Sequence, residues 1–143
     1  MFLDGRGVDV AVVDDFREID FGDWEGLTRE EIAARDPGLY HTWQERGSLD
    51  RFPGGDVRAE FFDRVRRAAL EVFDGIGTPS LAVLHKGVIK GVLSALLGTT
   101  IDELTSHTIE LGSIQRLERI PDGWKLLGIN ETGHLGEYRK EGS

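Results

Sequence analysis

Cysteine is absent from this 143-residue chain, which excludes disulfides and thiolate metal sites and suits a reducing compartment. No apolar run approaches the roughly 18 residues that a membrane-spanning helix needs. Met1-Phe2-Leu3 is followed at once by Asp4, Gly5 and Arg6, which is not the make-up of a secretory leader. Positive charge is scarce: 17 Lys and Arg stand against 26 Asp and Glu, for a formal charge of −9. Such a surface repels phosphate backbones, so nucleic acid is not expected as a partner, although a small anion still fits a locally positive site. Repeats and low-complexity tracts are lacking too. The expectation is a soluble, cytoplasmic, globular protein of one domain, residues 1–143, long enough to bury a core.

The elements follow from spacing. Val8 to Val13 alternates aliphatic with small or acidic residues and reads as a strand. Thr28 with Glu31 is a capping-box pattern ahead of Ile32, Ala33 and Ala34. That helix should stop before Pro37, and Leu39 to Glu45 should form another. Gly47 to Gly55 reads as a loop. Asp56 is placed to cap the longest helix, near Val57 to Phe73, whose apolar face is Val57, Phe61, Val65, Ala68, Ala69 and Val72. Arg58, Arg64, Arg66 and Arg67 fall mostly off that face. Leu81-Ala82-Val83-Leu84 is a continuous apolar run, the mark of a parallel strand covered on both sides. A helix follows to Leu97, with Gly98 as its stop. Thr100 and Glu103 form a second capping box. Ile114 to Ile120 and Trp124 to Ile129, joined by Pro121-Asp122-Gly123, read as a hairpin. The order strand, helices, strand, helix, hairpin gives an α/β sandwich.

Three places carry chemistry. Phe16 to Gly26 packs aromatics, glycines and charges into eleven residues. Aromatics beside a carboxylate are a way to make a general acid, and Glu18 is the candidate; its other reading is a surface glutamate paired with Arg17. Asp20, Asp23 and Glu25 lie in the same stretch, but their spacing matches no calcium loop, and they read as solvated or loop-pinning. His85 closes the apolar run and opens a helix through Lys86 and Gly87. Ligands of open α/β sheets bind outside the carboxyl ends of strands, where helix N-termini hold anions. An imidazole there donates to a phosphate oxygen, or else satisfies a neighbouring carbonyl. Arg51-Phe52-Pro53-Gly54-Gly55-Asp56 reads as a turn with an N-cap, with Arg51 a candidate for substrate contact. His41 reads as a surface residue, and His107 shows no partner.

The stretch from Phe16 to Gly26 resembles the middle motif of the histidine phosphatase superfamily, the phosphoglycerate-mutase-like phosphatases. Leu81 to Lys90 resembles that family's strand, His-Gly-Gly and helix start, with Lys86 in place of the first glycine. Residues 51–56 resemble its Pro-Gly-Gly-Glu segment, with Asp56 for the glutamate. Asn130-Glu131-Thr132-Gly133-His134-Leu135 resembles its closing Asn-Asp-Thr-Ala-His-Leu, which makes His134 structural support. The resemblance implies a three-layer α/β/α sandwich, phosphoryl transfer through a phosphohistidine on a small phosphorylated metabolite, and no metal or cofactor. It makes Glu18 the proton donor to the leaving group and His85 a phosphate contact, with Lys86, Gly87 and Arg51 at the phosphate or substrate.

One part of the pattern is missing. No Arg-His-Gly, the triplet that bears the family's phosphate-accepting histidine, occurs in the sequence, nor do the strands that belong with it. Without that nucleophile the two-step reaction cannot run, so the isolated chain is expected to be inactive. The alternative is a non-catalytic relative that binds phosphate ligands or acts as an interaction module. The absent first strand would lie beside the one ending at His85. Its loss removes ladder bonds of about 0.5–1.5 kcal/mol each from a total of only ~5–15 kcal/mol. The chain is therefore expected either to recruit a substitute strand, by self-association or swapping, or to be incomplete at its N-terminus.

Overall fold

Both capping boxes form and set the first and last helices. In the computed structural model, which describes residues 7 and 9–140, the Thr28 side chain accepts the Glu31 N–H while Glu31 accepts the Thr28 N–H, opening α1 (Arg29–Arg35). Thr100 and Glu103 repeat the arrangement at α5 (Ile101–Thr105). Pro37 does not merely end α1; it starts α2 (Pro37–Arg46), where its missing N–H costs nothing. The long helix α3 spans Arg58–Asp74, and α4 spans Lys86–Leu97, closed by Gly98 in left-handed geometry at φ 64°.

Asp56 does not cap α3. Val57 holds the N-cap position without a side-chain bond. The Asp56 carboxylate instead accepts the Asp20 N–H at 3.2 Å and faces Arg64 at 3.5 Å. A distant charged partner has outcompeted the local N–H groups.

Two apolar clusters hold the helices. Phe61, Val65 and Ala69 of α3 interlock with Val88, Val92 and Leu96 of α4, all buried, with Phe16, Ile19 and Leu84 at the margin. The second cluster joins Trp24, Ile32, Leu49 and Phe52, flanked by Phe21, Tyr40 and Trp43. Trp24 meets Phe52 and Trp43 edge-on and donates its indole N–H to Asp36 at 2.8 Å. Such aromatic contacts contribute about 0.5–1.5 kcal/mol each beyond area burial.

The fold is α/β: helices plus a C-terminal antiparallel hairpin of β1 (Ile114–Ile120) and β2 (Gly123–Glu131). Leu117 faces Leu126, and the register is irregular near Arg116. The strand expected at residues 8–13 and the parallel strand expected at 81–84 are not paired among the described residues; Val8 itself lies outside them. Leu81 and Val83, expected to be covered on both sides, are 83% and 90% exposed. An apolar run marks a segment that can be buried in a sheet, whereas pairing needs a neighbouring strand to supply the other half of each hydrogen bond. No helix among the described residues is long and apolar enough to cross a membrane.

Candidate functional site

Glu18 and the start of α4 meet in space although 69 residues separate them: Gly87 donates its N–H to the Glu18 carboxylate at 3.3 Å. The same carboxylate accepts the Ile19 N–H at 3.0 Å. It thus occupies the end of α4 where free N–H groups and the positive dipole end attract an anion. Gly87 is required for this approach. A Cβ there would lie 2.5 Å from the Glu18 Oε1 and 3.3 Å from the Phe61 ring.

His85 holds the N-cap position of α4 in extended geometry, with an exposed ring and no side-chain cap bond. The ring therefore stands at the helix end without being consumed by it. Lys86 is exposed beside it. One turn further on, Lys90 donates to the Thr105 carbonyl at 3.5 Å. Arg58, 4.0 Å from Asp102 on the same short helix, is the third cation of this group. Its guanidinium stacks over Phe62 at 5.0 Å. Burial, followed by the charges of Lys86 and Arg58, holds the Lys90 ammonium below its ordinary pKa. The mutual repulsion of these positive charges favours an incoming anion.

The motif around Glu18 is clamped from three sides. Arg64 donates to the carbonyls of Asp15 at 2.6 Å and Arg17 at 3.2 Å, and its ring-stacked guanidinium lies 5.2 Å from Phe61. Asp23 donates its N–H to the Pro53 carbonyl at 2.8 Å, and Asp56 to the Asp20 carbonyl at 2.9 Å. Here the Pro53-Gly54-Gly55 loop crosses the motif backbone to backbone: a Cβ on Gly22 or on Gly55 would collide with the other strand's main chain.

The sequence-derived candidates separate accordingly. Glu18, His85, Lys86 and Gly87 gather at one helix end. Arg51 does not join them; it is exposed in the loop before α3, and among the described residues its side chain makes no hydrogen bond or ion pair. Phe21 and Trp24 do not pack on the Glu18 carboxylate but belong to the second cluster. Asp20 and Glu25 pin the loop by accepting the N–H groups of Gly22 and Phe21, and Asp23 pairs with Arg35. His134 contacts the Gly112 carbonyl at 2.9 Å, a supporting contact. His41 is exposed beside Glu45, and His107 meets the Glu103 carbonyl.

Arg58, Arg64 and Lys90 are what sequence reasoning missed. The spacing places Arg64 among the arginines mostly off the buried face, yet its side chain is only 11% exposed. Its position between Phe61 and Ala68 on the helix was the available signal. A depression of about 590 Å³ lined by Glu60, Asp63, Arg66, Arg67 and Leu70 lies on the opposite face of α3 from the core and takes no part.

A sequence model described as histidine phosphatase superfamily (branch 1) matches residues 1–132. The chain belongs to the histidine phosphatase superfamily. It is 37% identical over 130 residues to the bifunctional protein Rv2228c of Mycobacterium tuberculosis, covering 90% of this chain and 35% of that protein. It is 27% identical over 139 residues to phosphoserine phosphatase 1 of Hydrogenobacter thermophilus, covering 96% of this chain and 66% of the other. The solved mycobacterial glucosyl-3-phosphoglycerate phosphatase Rv2419c, in complex with VO3, superposes with a TM-score of 0.69 at 28% identity, over 87% of this chain and 65% of that one. The chain thus spans about a third of the first relative and about two thirds of the other two.

Proposed function

We propose that this chain carries the proton-donating and phosphate-holding half of a phosphomonoester-cleaving site, acting on a small phosphorylated metabolite. The observation behind this is the contact between Glu18 and the Gly87 N–H, which places a carboxyl group at an anion-binding helix end beside His85. A phosphate arriving there accepts from the α4 N–H groups and the His85 ring, with Lys86 adding charge. The proton for the leaving group comes from the carboxylic-acid form of Glu18. When the bond from phosphorus to the leaving oxygen breaks, that oxygen takes the Glu18 proton. The phosphoryl group passes to an acceptor histidine that is not among these residues, since no Arg-His-Gly occurs in the sequence.

Arg58, Lys86 and Lys90 suit a second anionic group on the substrate, and Arg51 is free for its far end. Phosphoserine and glucosyl-3-phosphoglycerate, the compounds in two relatives' names, are both phosphate esters of carboxylic acids. A phosphorylated carboxylic acid is therefore the substrate class we assign.

The test is calorimetric titration of this chain with orthovanadate and inorganic phosphate, alongside turnover of a chromogenic phosphomonoester. Binding that falls roughly tenfold or more in His85→Ala (about 1.4 kcal/mol), without turnover, is expected. Absence of any anion binding overturns the proposal. Genuine turnover by this chain moves the acceptor role to a residue such as His107 or His134 and overturns the division of labour.

A further inference from the structure

Glu18 and Gly87 lie 69 residues apart in the sequence, so a third element must set the distance between them. That element is α3. Its Phe61 ring lies 3.3 Å from where a Cβ on Gly87 would stand, and a Cβ on Gly91, one turn along, would lie 2.5 Å from the Val65 Cγ1. Phe61 and Val65 thus fix α4 against α3. Arg64, beside Val65, reaches the other way and holds the Glu18 segment. Its Nη1 donates to the carbonyls of Asp15 at 2.6 Å and Arg17 at 3.2 Å, the second belonging to the peptide bond that enters Glu18.

Asp56 completes the hold on the far side of the acid. Its carboxylate accepts the Asp20 N–H at 3.2 Å, and its own N–H donates to the Asp20 carbonyl at 2.9 Å. The backbone is therefore tied at residues 15 and 17 before Glu18 and at residue 20 after it. Arg64 Nη2 and Asp56 Oδ2 face each other at 3.5 Å, which joins the two ties. Stability alone accounts poorly for this arginine, because among the described residues its Nη2 is buried with no hydrogen-bond partner. A buried donor left unpaired opposes folding, more so on a charged group, and an apolar side chain of similar volume avoids that cost. What an apolar side chain lacks is a planar fork that holds two carbonyls while facing a carboxylate.

We propose that Arg64 is the positioning residue of the proton donor: with Asp56 it holds the backbone on both sides of Glu18, so that the carboxyl group stays at the Gly87 N–H. The inference rests on the proton-donor reading of Glu18 and adds the residue that makes the donor's place definite. Misplacing a catalytic group by about 1 Å can cost on the order of a hundredfold in rate. A backbone held on both sides avoids that loss.

The Gly87 amide proton, read by NMR on the isotope-labelled chain, tests this without any ligand. A charge-assisted hydrogen bond to the Glu18 carboxylate deshields that proton, and the resonance of a folded state does not depend on how stable the fold is. Glu18→Ala should move it upfield. Arg64→Met should move it most of the way to the same place, and Arg64→Lys, which keeps a donor, should leave it between the two. In the Glu18→Ala chain, adding Arg64→Met should move it no further. The Ile89 N–H, which donates to the His85 carbonyl at 2.9 Å, should hold still throughout. Should Arg64→Met fail to fold, Asp56→Ala carries the test and must displace Gly87 in the same direction. A Gly87 resonance that follows Glu18→Ala but not Arg64→Met (or Asp56→Ala in its stead) overturns the inference and leaves the site reading intact. Indifference to Glu18→Ala itself overturns both. Equal displacement of Ile89 also overturns the inference, because the helix end and not the acid has then moved.

Discussion

The C-terminal hairpin and residues 79–84 both carry strand-forming apolar residues, the second more densely, and have opposite fates. In the hairpin a tight turn through Pro121, Asp122 and Gly123 returns the chain on itself, so β1 finds β2 a few residues later and Leu117 settles against Leu126. Residues 79–84 follow a breaker and lead straight into α4, so every strand partner must come from far along the chain or from another chain. Local pairing has little loop-closure entropy to overcome, and non-local pairing has much more. A segment with every property of a core strand stays exposed when no second backbone edge lies beside it among the described residues.

The largest test of this contrast lies in the closed part of the molecule. Phe61, 2% exposed, touches both the α4 core and the space beside Gly87. Phe61→Ala should cost about 3–5 kcal/mol, a large share of the ~5–15 kcal/mol available, and thermal unfolding measures it. Gly55→Ala drives a methyl group into the backbone of Asp20 and Gly22. A loss of about 1–3 kcal/mol is expected in denaturant melts, together with weakened anion binding as Glu18 shifts. Arg64→Met removes the donor to two carbonyls and the partner of Asp56, which should cost about 1.5–3 kcal/mol; an unchanged midpoint would show that the clamp is dispensable.

Two smaller effects sharpen the comparison. Arg116 binds Glu131 in a two-pronged pair across the hairpin, and this bond holds the Glu131 carboxyl below its ordinary pKa. A carboxylate depressed in the folded state stabilises above its unfolded value near 4.3, and the contribution fades as pH falls through the lower folded value. Protection of the β1 and β2 amides, relative to the exchange of an unstructured chain at the same pH, should therefore fall below about pH 4 and be flat above pH 5. The smallest effect is expected at Val83→Lys, within ~0.5 kcal/mol for the monomer in dilute solution. A loss of several kcal/mol there would mean that residues 79–84 are already covered.

The legible parts of the fold were those fixed by near neighbours. Thr28 with Glu31, Thr100 with Glu103, the Gly98 stop and the hairpin all appear where the sequence placed them, because each depends on contacts a few residues apart. Asp56 shows where this fails. Its sequence context is that of an N-cap, but Asp20 and Arg64 offered better partners, and neither is near it in sequence. In the site, Glu18, His85 and Gly87 were legible through the family resemblance of their motifs. Arg58 and Lys90 were not, since their charges meet only after α3 and α4 have packed and both side chains have reached α5.

The order of residues by itself determined the two capping boxes, the Gly98 stop, the hairpin, and which carboxyl group and which imidazole are chemically eligible, since these follow from local hydrogen bonding, φ preferences and side-chain chemistry. Only the tertiary structure decided that Glu18 rests on the Gly87 N–H, that Arg64 holds its loop, and that Leu81 and Val83 stay uncovered. Those outcomes depend on which backbone edges and charges come within a few ångströms of one another, and distance along the chain does not encode that.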